Sequence, residues 1–303
     1  MNKIYDVIII GSGPAGMSAA IYLKRASKTV LILERESCGG QIAMAPLVEN
    51  FPSIESISGS ELADRMMSQV LSLGVDFELE EALSITKEDN IFHIKTDYSS
   101  YDAFSVIIAT GASHKKLMVP GEDELLGKGV SYCVSCDGAF YKGEEVAVIG
   151  DANSALQYAL ELSSYCPRVH LCMLFDKFFA DKVLVDRVLS KDNIIVYKNI
   201  LLKSFEGDSK LNRLVFLNTI TNEELSINAK GAFIAIGQEP HNEIVKSLAE
   251  INKAGYIAVN SDMETTTPGL FAAGDTTDKR VRQCATAISD GAIAATSAIR
   301  YLG

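Results

Sequence analysis

An α/β fold of two Rossmann-like, three-layer nucleotide-binding domains, the second inserted into the first, is predicted by three features of the chain. An apolar strand pattern at residues 4–10 runs into Gly11-Ser12-Gly13-Pro14-Ala15-Gly16, a small-residue helical stretch, and a second apolar strand ending at Glu34. The same order recurs from residue 145, around Gly150-Asp151-Ala152-Asn153-Ser154-Ala155. From Glu239 the pattern returns to the first domain, through a short apolar stretch closed by Gly274-Asp275. The 303 residues agree with two domains at about 100–200 residues each.

Residues 4–10, Ile-Tyr-Asp-Val-Ile-Ile-Ile, read as a strand buried on both faces, because a parallel sheet covered by helices calls for a near-continuous apolar run. A helix is expected over 14–24, with Ala15, Gly16, Ser18 and Ala19 on its packing side, and a strand over 29–33. In this order Gly11 makes a tight turn, Gly13 lets a pyrophosphate approach the backbone, and Gly16 lets helix pack on strand. The helix N-terminus then faces the phosphates, and Glu34 stands where an acid accepts hydrogen bonds from an adenosine ribose. A lone GxGxxG is equally an ordinary glycine turn; the strands and the acid in register favour a dinucleotide.

Cys38-Gly39-Gly40-Gln41 and Val48-Glu49-Asn50-Phe51-Pro52 are loops with polar groups suited to lining a ring system. Residues 59–73 read as an amphipathic helix, 75–97 as a hairpin or meander, and 103–109 as a buried strand closed by Thr110-Gly111. Glycine there admits close backbone approach. Beyond Pro120-Gly121 come a strand at 145–149, a helix ending near residue 163 and a strand at 168–173. Residues 181–236 continue as helix and short strands, and a small-residue helix is expected over 283–301.

Bulk properties exclude several classes. Hydrophobic residues make up 48% of the chain, enough for large cores, and the formal net charge is −11. An acidic chain is a poor match for nucleic acid, whose phosphates are held by basic surfaces. No stretch approaches the ~20 apolar residues that span a bilayer, and Ile8-Ile9-Ile10 meets a glycine loop without a cleavage-like site. The chain reads as cytoplasmic, with neither nucleic acid nor membrane as partner.

The reactive stretch is Cys133-Val134-Ser135-Cys136-Asp137. Two cysteines separated by two residues can close a small disulfide ring, hold half a metal site or do redox chemistry. Cys38, Cys166, Cys172 and Cys284 show no clamp spacing and His93, His114, His170 and His241 are scattered, so a zinc site lacks its second knuckle. No metal is expected. In a reducing compartment a CxxC is more often catalytic than structural, although taken alone it is also compatible with chance or a static disulfide.

Together these residues resemble the low-molecular-weight thioredoxin reductase family of flavoproteins. The likeness covers the whole chain and rests on Gly11 to Gly16, Gly39-Gly40-Gln41, Glu49-Asn50-Phe51-Pro52 and Ala109-Thr110-Gly111. It continues through Ser131-Tyr132-Cys133, Cys136-Asp137-Gly138, Ala235-Ile236-Gly237, Gly274-Asp275 and Arg282-Gln283. The resemblance implies an FAD domain in two segments, 1–115 and 240–303, and a central nicotinamide-type domain, 116–239, carrying the CxxC. It implies that Gly11, Ser12, Gly13, Pro14, Ala15 and Gly16 hold the FAD pyrophosphate and that Glu34, with Arg35, takes the ribose end. Gly39, Gly40, Gln41 and Asn50 would border the flavin. Leu83, Ala109, Thr110, Gly111, Gly274, Asp275, Arg282, Gln283 and Cys284 complete the implied cofactor set, Cys284 without a redox role. Cys136 would face the flavin, Cys133 would attack the disulfide of thioredoxin, and Asp137 would donate and accept the proton. An acid placed simply at a helix start is the alternative for Asp137. A homodimer is also implied.

The chain departs from that family at its second glycine loop. NADPH-using members carry a further glycine-rich loop, a His-Arg-Arg run and another arginine for the 2′-phosphate. Here Asp151 and Ala152 stand in the loop, Met173-Leu174-Phe175 replaces the basic run, and Phe179 replaces the last arginine. Charged hydrogen bonds are worth about 1.5–3 kcal/mol each, so a dianionic phosphate loses much of its binding. Met173 also stands where an NADH site wants an acid. The pattern resembles the ferredoxin-dependent flavin thioredoxin reductases, which implies ferredoxin as electron donor. Phe175, Phe178 and Phe179 are then either a docking surface or core. Lys279, Arg280 and Arg282, or Lys115 and Lys116, are candidate basic patches for the carrier. A conventional NAD(P)H enzyme, a dithiol oxidase and a flavin-bound redox sensor are the competing functions.

Overall fold

A computed structural model describes residues 3–45 and 47–303. The chain divides into two compact units, Met1–Ser113 with Glu239–Gly303, and His114–Gln238. The second is an insertion in the first, with joints at 113/114 and 238/239, where the sequence suggested 115/116 and 239/240. Among the described residues no helix is long and apolar enough to cross a membrane.

In the first unit the strand Ile4–Ile10 lies between Val30–Leu33 and Ser100–Ile108, all parallel. Asp76–Glu78 extends the sheet beside Val30–Leu33. The other edge of Ser100–Ile108 serves two partners: residues 100–103 pair antiparallel with Ile91–Thr96, and 106–108 pair parallel with Leu270–Ala272. The stretch 75–97 therefore divides. Its start joins the parallel sheet, and Ala82–Glu88 with Ile91–Thr96 forms a hairpin. That hairpin turns on Asp89 and Asn90, both at positive φ (45° and 66°), the backbone that matches the twist of a tight antiparallel turn.

The continuous apolar run has a simple cause. Side chains alternate across a strand, and both faces of Ile4–Ile10 are covered. Val7 and Ile9 pack with Met17 and Leu23 of the helix Pro14–Arg25 and with Ala294 and Ala298 of the C-terminal helix Cys284–Leu302. Ile8 and Ile10 pack with Phe92 and Ile94 of the hairpin and with Val245 and Ile257. The two helices meet closely: a Cβ at Gly291 would lie 2.1 Å from Ala15 O, and Ser18 Oγ donates to Ile288 O at 2.8 Å. A further helix, Gly59–Ser72, starts at Ser58, whose hydroxyl accepts from Glu61 N at 3.2 Å as an N-cap does.

The second unit has a five-stranded parallel sheet. Its order is Ile194–Tyr197, Arg168–Cys172, Glu145–Ile149, Gly231–Ile234, Val130–Ser131. Ala147 and Ile149 face Leu202, Phe205 and Phe216 of an antiparallel sheet made by Ile200–Glu206, Arg213–Asn218 and Glu224–Asn228. Val146 and Val148 face Leu156 and Leu162 of the helix Asn153–Leu162. The cysteine pair leaves the C-terminal end of the edge strand Val130–Ser131, the end at which open α/β sheets place their reactive loops.

Gly291→Ala tests the helix contact. One methyl against a backbone carbonyl forces the helices apart, and overpacking of this kind costs about 1–3 kcal/mol. The urea midpoint of the variant, followed by circular dichroism, is expected to fall accordingly; an unchanged midpoint would mean that the two helices part without cost.

Candidate active site

In the second unit Cys133 and Cys136 are joined in a disulfide, with Cα atoms 5.3 Å apart. The pairing follows from the local backbone. Cys133 is extended and opens a single helical turn, Val134–Asp137, which brings residues three apart onto one face. Cys133 is half-buried and Cys136 is exposed. Asp137 ends this turn and stands at the N-cap of the short 3₁₀ turn Gly138–Tyr141, but its side chain makes no capping hydrogen bond there. Ser131 ties the two ends together: its hydroxyl donates to Asp137 Oδ2 at 2.6 Å and accepts from Cys133 N at 3.0 Å. Burial pushes the Asp137 carboxyl above the ordinary carboxylate range, and the Ser131 hydroxyl opposes the shift.

Tyr132, just before the pair, is held on three sides. Its hydroxyl donates to Glu122 Oε1 at 2.6 Å, its ring stacks on His114 with centroids 4.8 Å apart, and its carbonyl accepts from Tyr158 Oη at 3.2 Å. Glu122 is only 2% exposed. It also accepts from Leu117 N at 3.0 Å and Met118 N at 2.7 Å, the partners that a buried carboxylate requires. Glu122 carried no sequence signal as a site residue, and Ser131 only its place beside the CxxC.

In the first unit several of the residues inferred from the sequence, Gly11, Gly39, Gly40, Ala109 and Gly274 among them, pack around the start of Pro14–Arg25. Gly11 has φ of 106°, and a Cβ there would lie 2.4 Å from Ala109 O, so only glycine fits this turn. At Gly13 a Cβ would meet nothing within 4 Å, which leaves open space at the helix start; Gly16 is closed instead, 2.0 Å from Gly11 O. Glu34 Oε2 accepts from Ser12 N at 2.8 Å and Ser12 Oγ at 2.9 Å, while Oε1 accepts from Arg35 N and Glu36 N. Gly39 N donates to Ser12 O at 3.0 Å, and a Cβ on Gly40 would stand 3.4 Å from Gly13 Cα. Asn50 Nδ2 donates to Gln283 Oε1 at 3.2 Å. Gln283 also caps Cys284–Leu302 in a reciprocal arrangement with Thr286. Thr110 Oγ1 lies 3.0 Å from Thr276 Oγ1, and Asn242 Oδ1 accepts from both threonines.

Two members stand apart from this packing. Leu83 is half-exposed on the edge strand, at the point where its register shifts. Gln41 is exposed, within the short 3₁₀ turn Gly40–Met44 that replaces the expected open loop. Gly111, at φ 68°, follows the strand end without close neighbours to a Cβ.

Around Gly274-Asp275 the structure adds two groups that local pattern did not mark. Asp290, on the C-terminal helix, accepts from Gly274 N at 3.2 Å and from Lys279 Nζ at 2.5 Å. The Lys279 and Asp290 side chains are only 15% and 14% exposed. Arg282 lies over the Tyr256 ring, 4.2 Å from its centroid, and donates to Thr277 O at 3.3 Å. This corrects the expected docking patch: Lys279 and Arg282 are committed inward. In the other candidate patch, Lys116 pairs with Asp123 at 2.7 Å.

Three of the free cysteines, Cys166, Cys172 and Cys284, are held protonated by burial. Burial pushes Cys166 and Cys284 up to about 11, and pushes Cys172 higher still, which removes the thiolate that redox chemistry needs. Among the described residues no group of three His, Cys, Asp or Glu side chains could hold a metal ion.

The second glycine loop has a different lining from the first. Phe179 N donates to Asp151 O at 2.8 Å, and Phe179 bridges Ala152 in parallel register. Phe175 meets Phe179 edge-on with centroids 5.6 Å apart, and the two are 49% and 53% exposed. Phe178 packs against the core, and Met173 is fully buried. The three phenylalanines thus divide, two exposed and one half-buried against the core. Asn153 and Asp181 exchange hydrogen bonds at 3.1 and 2.8 Å, and Lys177 Nζ sits over the Phe179 ring. Burial raises the Asp151 carboxyl.

A glycine-turn cradle in one unit and a strand-end disulfide in the other define a dinucleotide-dependent disulfide oxidoreductase. Comparison with known proteins is consistent throughout. The family model for pyridine nucleotide-disulphide oxidoreductases matches residues 5–291. A 34.2 kDa protein in the rubredoxin operon of Clostridium pasteurianum is 39% identical over 305 residues, covering 100% of this chain and 98% of the relative. Thioredoxin reductase of Bacillus subtilis (strain 168) is 40% identical over 302 residues, covering 99% and 96%. The crystal structure of thioredoxin reductase from Streptococcus pyogenes MGAS5005 matches with a TM-score of 0.96 at 36% identity, covering 100% and 99%. The chain belongs to the pyridine nucleotide-disulphide oxidoreductases, in the low-molecular-weight thioredoxin reductase family.

The cofactor of these enzymes is FAD, and the first unit fits it. Asp275 Oδ1 and Arg282 Nε are buried without a hydrogen-bond partner, a costly state in a finished protein. Burial raises the Asp275 carboxyl, with Lys279 and Arg282 opposing the shift. The hydroxyls of a ribityl chain are partners of the kind that Asp275 lacks.

Two outcomes are expected here. Lys279→Met strands Asp290 in a mostly buried setting, at a cost of about 3–5 kcal/mol, and denaturant unfolding of the FAD-loaded protein measures it. The raised Asp137 carboxyl binds its proton more readily folded than unfolded, so its contribution to stability falls as pH rises from the ordinary carboxylate value through the raised one. Asp137→Asn keeps an acceptor for Ser131 and removes that slope. Its advantage over the parent is expected at pH ~7 and should vanish toward pH ~4; urea midpoints at the two pH values would show it.

Proposed function

We propose that the enzyme reduces the disulfide of thioredoxin through Cys133 and Cys136, with electrons from a ferredoxin-type carrier rather than from a pyridine nucleotide. One observation carries the choice of donor. Beside Ala152, at the start of the helix Asn153–Leu162, the loop is edged by the half-exposed Phe175–Phe179 pair, and Asp151 adds an acid. An anion held at a helix N-terminus wants open backbone N–H groups and cations. Here a methyl and a carboxylate occupy the loop, and Lys177 sits over the Phe179 ring. Met173, buried in the core, provides no acid for an adenosine ribose. That one relative is named for its place in a rubredoxin operon supports a small redox protein as donor.

The chain's own residues divide the work. Gly11, Ser12, Gly13, Pro14, Ala15 and Gly16 receive the FAD pyrophosphate at the helix start, and Gly39, Gly40 and Gln41 belong to the flavin side. Glu34, with Arg35, serves the ribose, and a hydroxyl there would share Glu34 with Ser12 Oγ, which can rotate. Asn50 and Gln283, hydrogen-bonded to each other, border the flavin with Cys284. Ala109, Thr110, Gly111, Gly274, Asp275 and Arg282 hold the ribityl region. Bound FAD supplies a group able to take electrons singly and deliver them as a pair. Cys136 receives that pair as the S–S bond opens, Cys133 leaves as thiolate and attacks the thioredoxin disulfide, and Asp137 donates and takes the proton. A homodimer and a cytoplasmic location complete the proposal, the second because a reducing compartment suits a catalytic CxxC.

Anaerobic rapid mixing tests the donor. Reduced ferredoxin is expected to bleach the flavin within a turnover and to sustain thioredoxin reduction, while near-stoichiometric NADPH or NADH leaves the flavin oxidised. Rapid bleaching by either nucleotide would sink the proposal and leave a conventional NAD(P)H enzyme. Peroxide release from a small dithiol without thioredoxin turnover would instead mark a dithiol oxidase. No turnover with either donor would leave a redox sensor.

A further inference from the structure

We propose that Ser135 is a further catalytic residue, whose hydroxyl donates the hydrogen bond that holds Cys133 as a thiolate once the disulfide opens. This rests on the role given above to Cys133 as the thiolate that attacks the protein substrate.

The two hydroxyls of the segment are placed for different tasks. Ser131 has one proton to donate, and it gives it to Asp137 Oδ2 at 2.6 Å while accepting from Cys133 N. Ser131 therefore serves the carboxyl and the backbone. Ser135 Oγ stands 3.5 Å from Cys133 Sγ, within reach of a sulfur acceptor. Ser135 is exposed, so its side chain does not fill a core. It lies within the turn Val134–Asp137, so the geometry is set by the same backbone that brings the cysteines together.

The interaction strengthens where the chemistry needs it. A disulfide sulfur is a weak acceptor, whereas a thiolate accepts a charge-assisted hydrogen bond. A contact that tightens as charge develops lowers the barrier rather than merely binding the ground state. With a dithiol as reductant, the S–S bond breaks, the dithiol becomes a disulfide, and two electrons come to rest on the cysteine sulfurs. Cys133 keeps its charge as thiolate, and the protons of the dithiol pass to Cys136 and solvent. No proton leaves Ser135, which acts only as donor. A stabilised thiolate is also the larger reactive fraction at neutral pH for the next disulfide.

The test reads Cys133 directly and involves neither thioredoxin nor any electron donor, so its failure and that of the proposed donor are separable. In full-length, FAD-loaded Cys136→Ala protein, alkylation of Cys133 by iodoacetamide is followed across pH by peptide mass spectrometry. Adding Ser135→Ala is expected to raise the apparent Cys133 pKa by about one unit and to slow labelling at neutral pH about ten-fold. Ser135→Thr, which keeps a hydroxyl, is expected to restore the Ser135 profile. Equal retention of FAD in all three proteins keeps misfolding out of the comparison. An alanine variant with the Ser135 profile, or a threonine variant that behaves like alanine, overturns the proposal.

Discussion

Backbone packed directly on backbone around the first turn of Pro14–Arg25 constrains everything else in the first unit. A Cβ at Gly16 would lie 2.0 Å from Gly11 O, one at Gly291 would lie 2.1 Å from Ala15 O, and one at Gly274 would lie 2.9 Å from the Ala15 side chain. The preceding strand, the C-terminal helix and the Gly-Asp turn therefore converge on the same few residues. Contacts this short leave no space for a side chain to adjust, so the helix N-terminus has one position. A dipolar binding site for a pyrophosphate is useful only when its donors are fixed in this way. Residues far apart in the chain, Asn50 and Gln283 among them, come together because these packings fix where their loops begin.

Much of this was legible because it is local or periodic. The strand Ile4–Ile10 showed its burial through an unbroken apolar run, and Gly11 to Gly16 showed the turn through spacing alone. The pairing of Cys133 with Cys136 needs only one helical turn. What escaped the sequence depends on partners distant in the chain. Lys279 and Arg282 looked like a basic patch because Asp290 and Tyr256, which engage them, cannot be placed beside them without the fold. Phe178 could not be told from Phe175 and Phe179 until the helix Asn153–Leu162 and its core were in place. Glu122 looked like one more acid in an acidic chain, yet it is buried and holds Tyr132 next to the reactive pair. Ser131, two residues before Cys133, was visible in the sequence but its role was not, since that depends on the rotation of the turn that follows it.

The polar groups around the cysteines form a graded set. Glu122 anchors Tyr132, Ser131 anchors Asp137, and Ser135 reaches the sulfur itself. Each lies nearer the reacting atoms than the one before, and each is more exposed than the one before. Such an order is physically sensible. A buried carboxylate satisfied by three donors is rigid, so it suits the base of the segment, whereas a hydroxyl at the surface can respond as charge appears and disappears on sulfur. Asp137 lies between these extremes. It is buried enough to hold a proton more tightly than an ordinary carboxylate, and it is hydrogen-bonded enough to remain positioned in either protonation state.

The second unit separates fold from ligand. Its parallel sheet is held by Val146 and Val148 against Leu156 and Leu162, and by Ala147 and Ile149 against Phe205 and Phe216. None of these residues belongs to the loop between Gly150 and Ala155. Substitutions in that loop, and at Phe175 and Phe179 beside it, therefore change what the surface can bind without loosening the core. A nucleotide-binding architecture can persist while such a loop varies, since fold and site draw on different residues. The first glycine of the turn is closed in both units: a Cβ at Gly11 would lie 2.4 Å from Ala109 O, and one at Gly150 would lie 2.5 Å from Ala235 O. The freedom of the second loop is confined to Asp151 through Ser154, because Gly150 is closed by Ala235 and Ala155 is fully buried in the core.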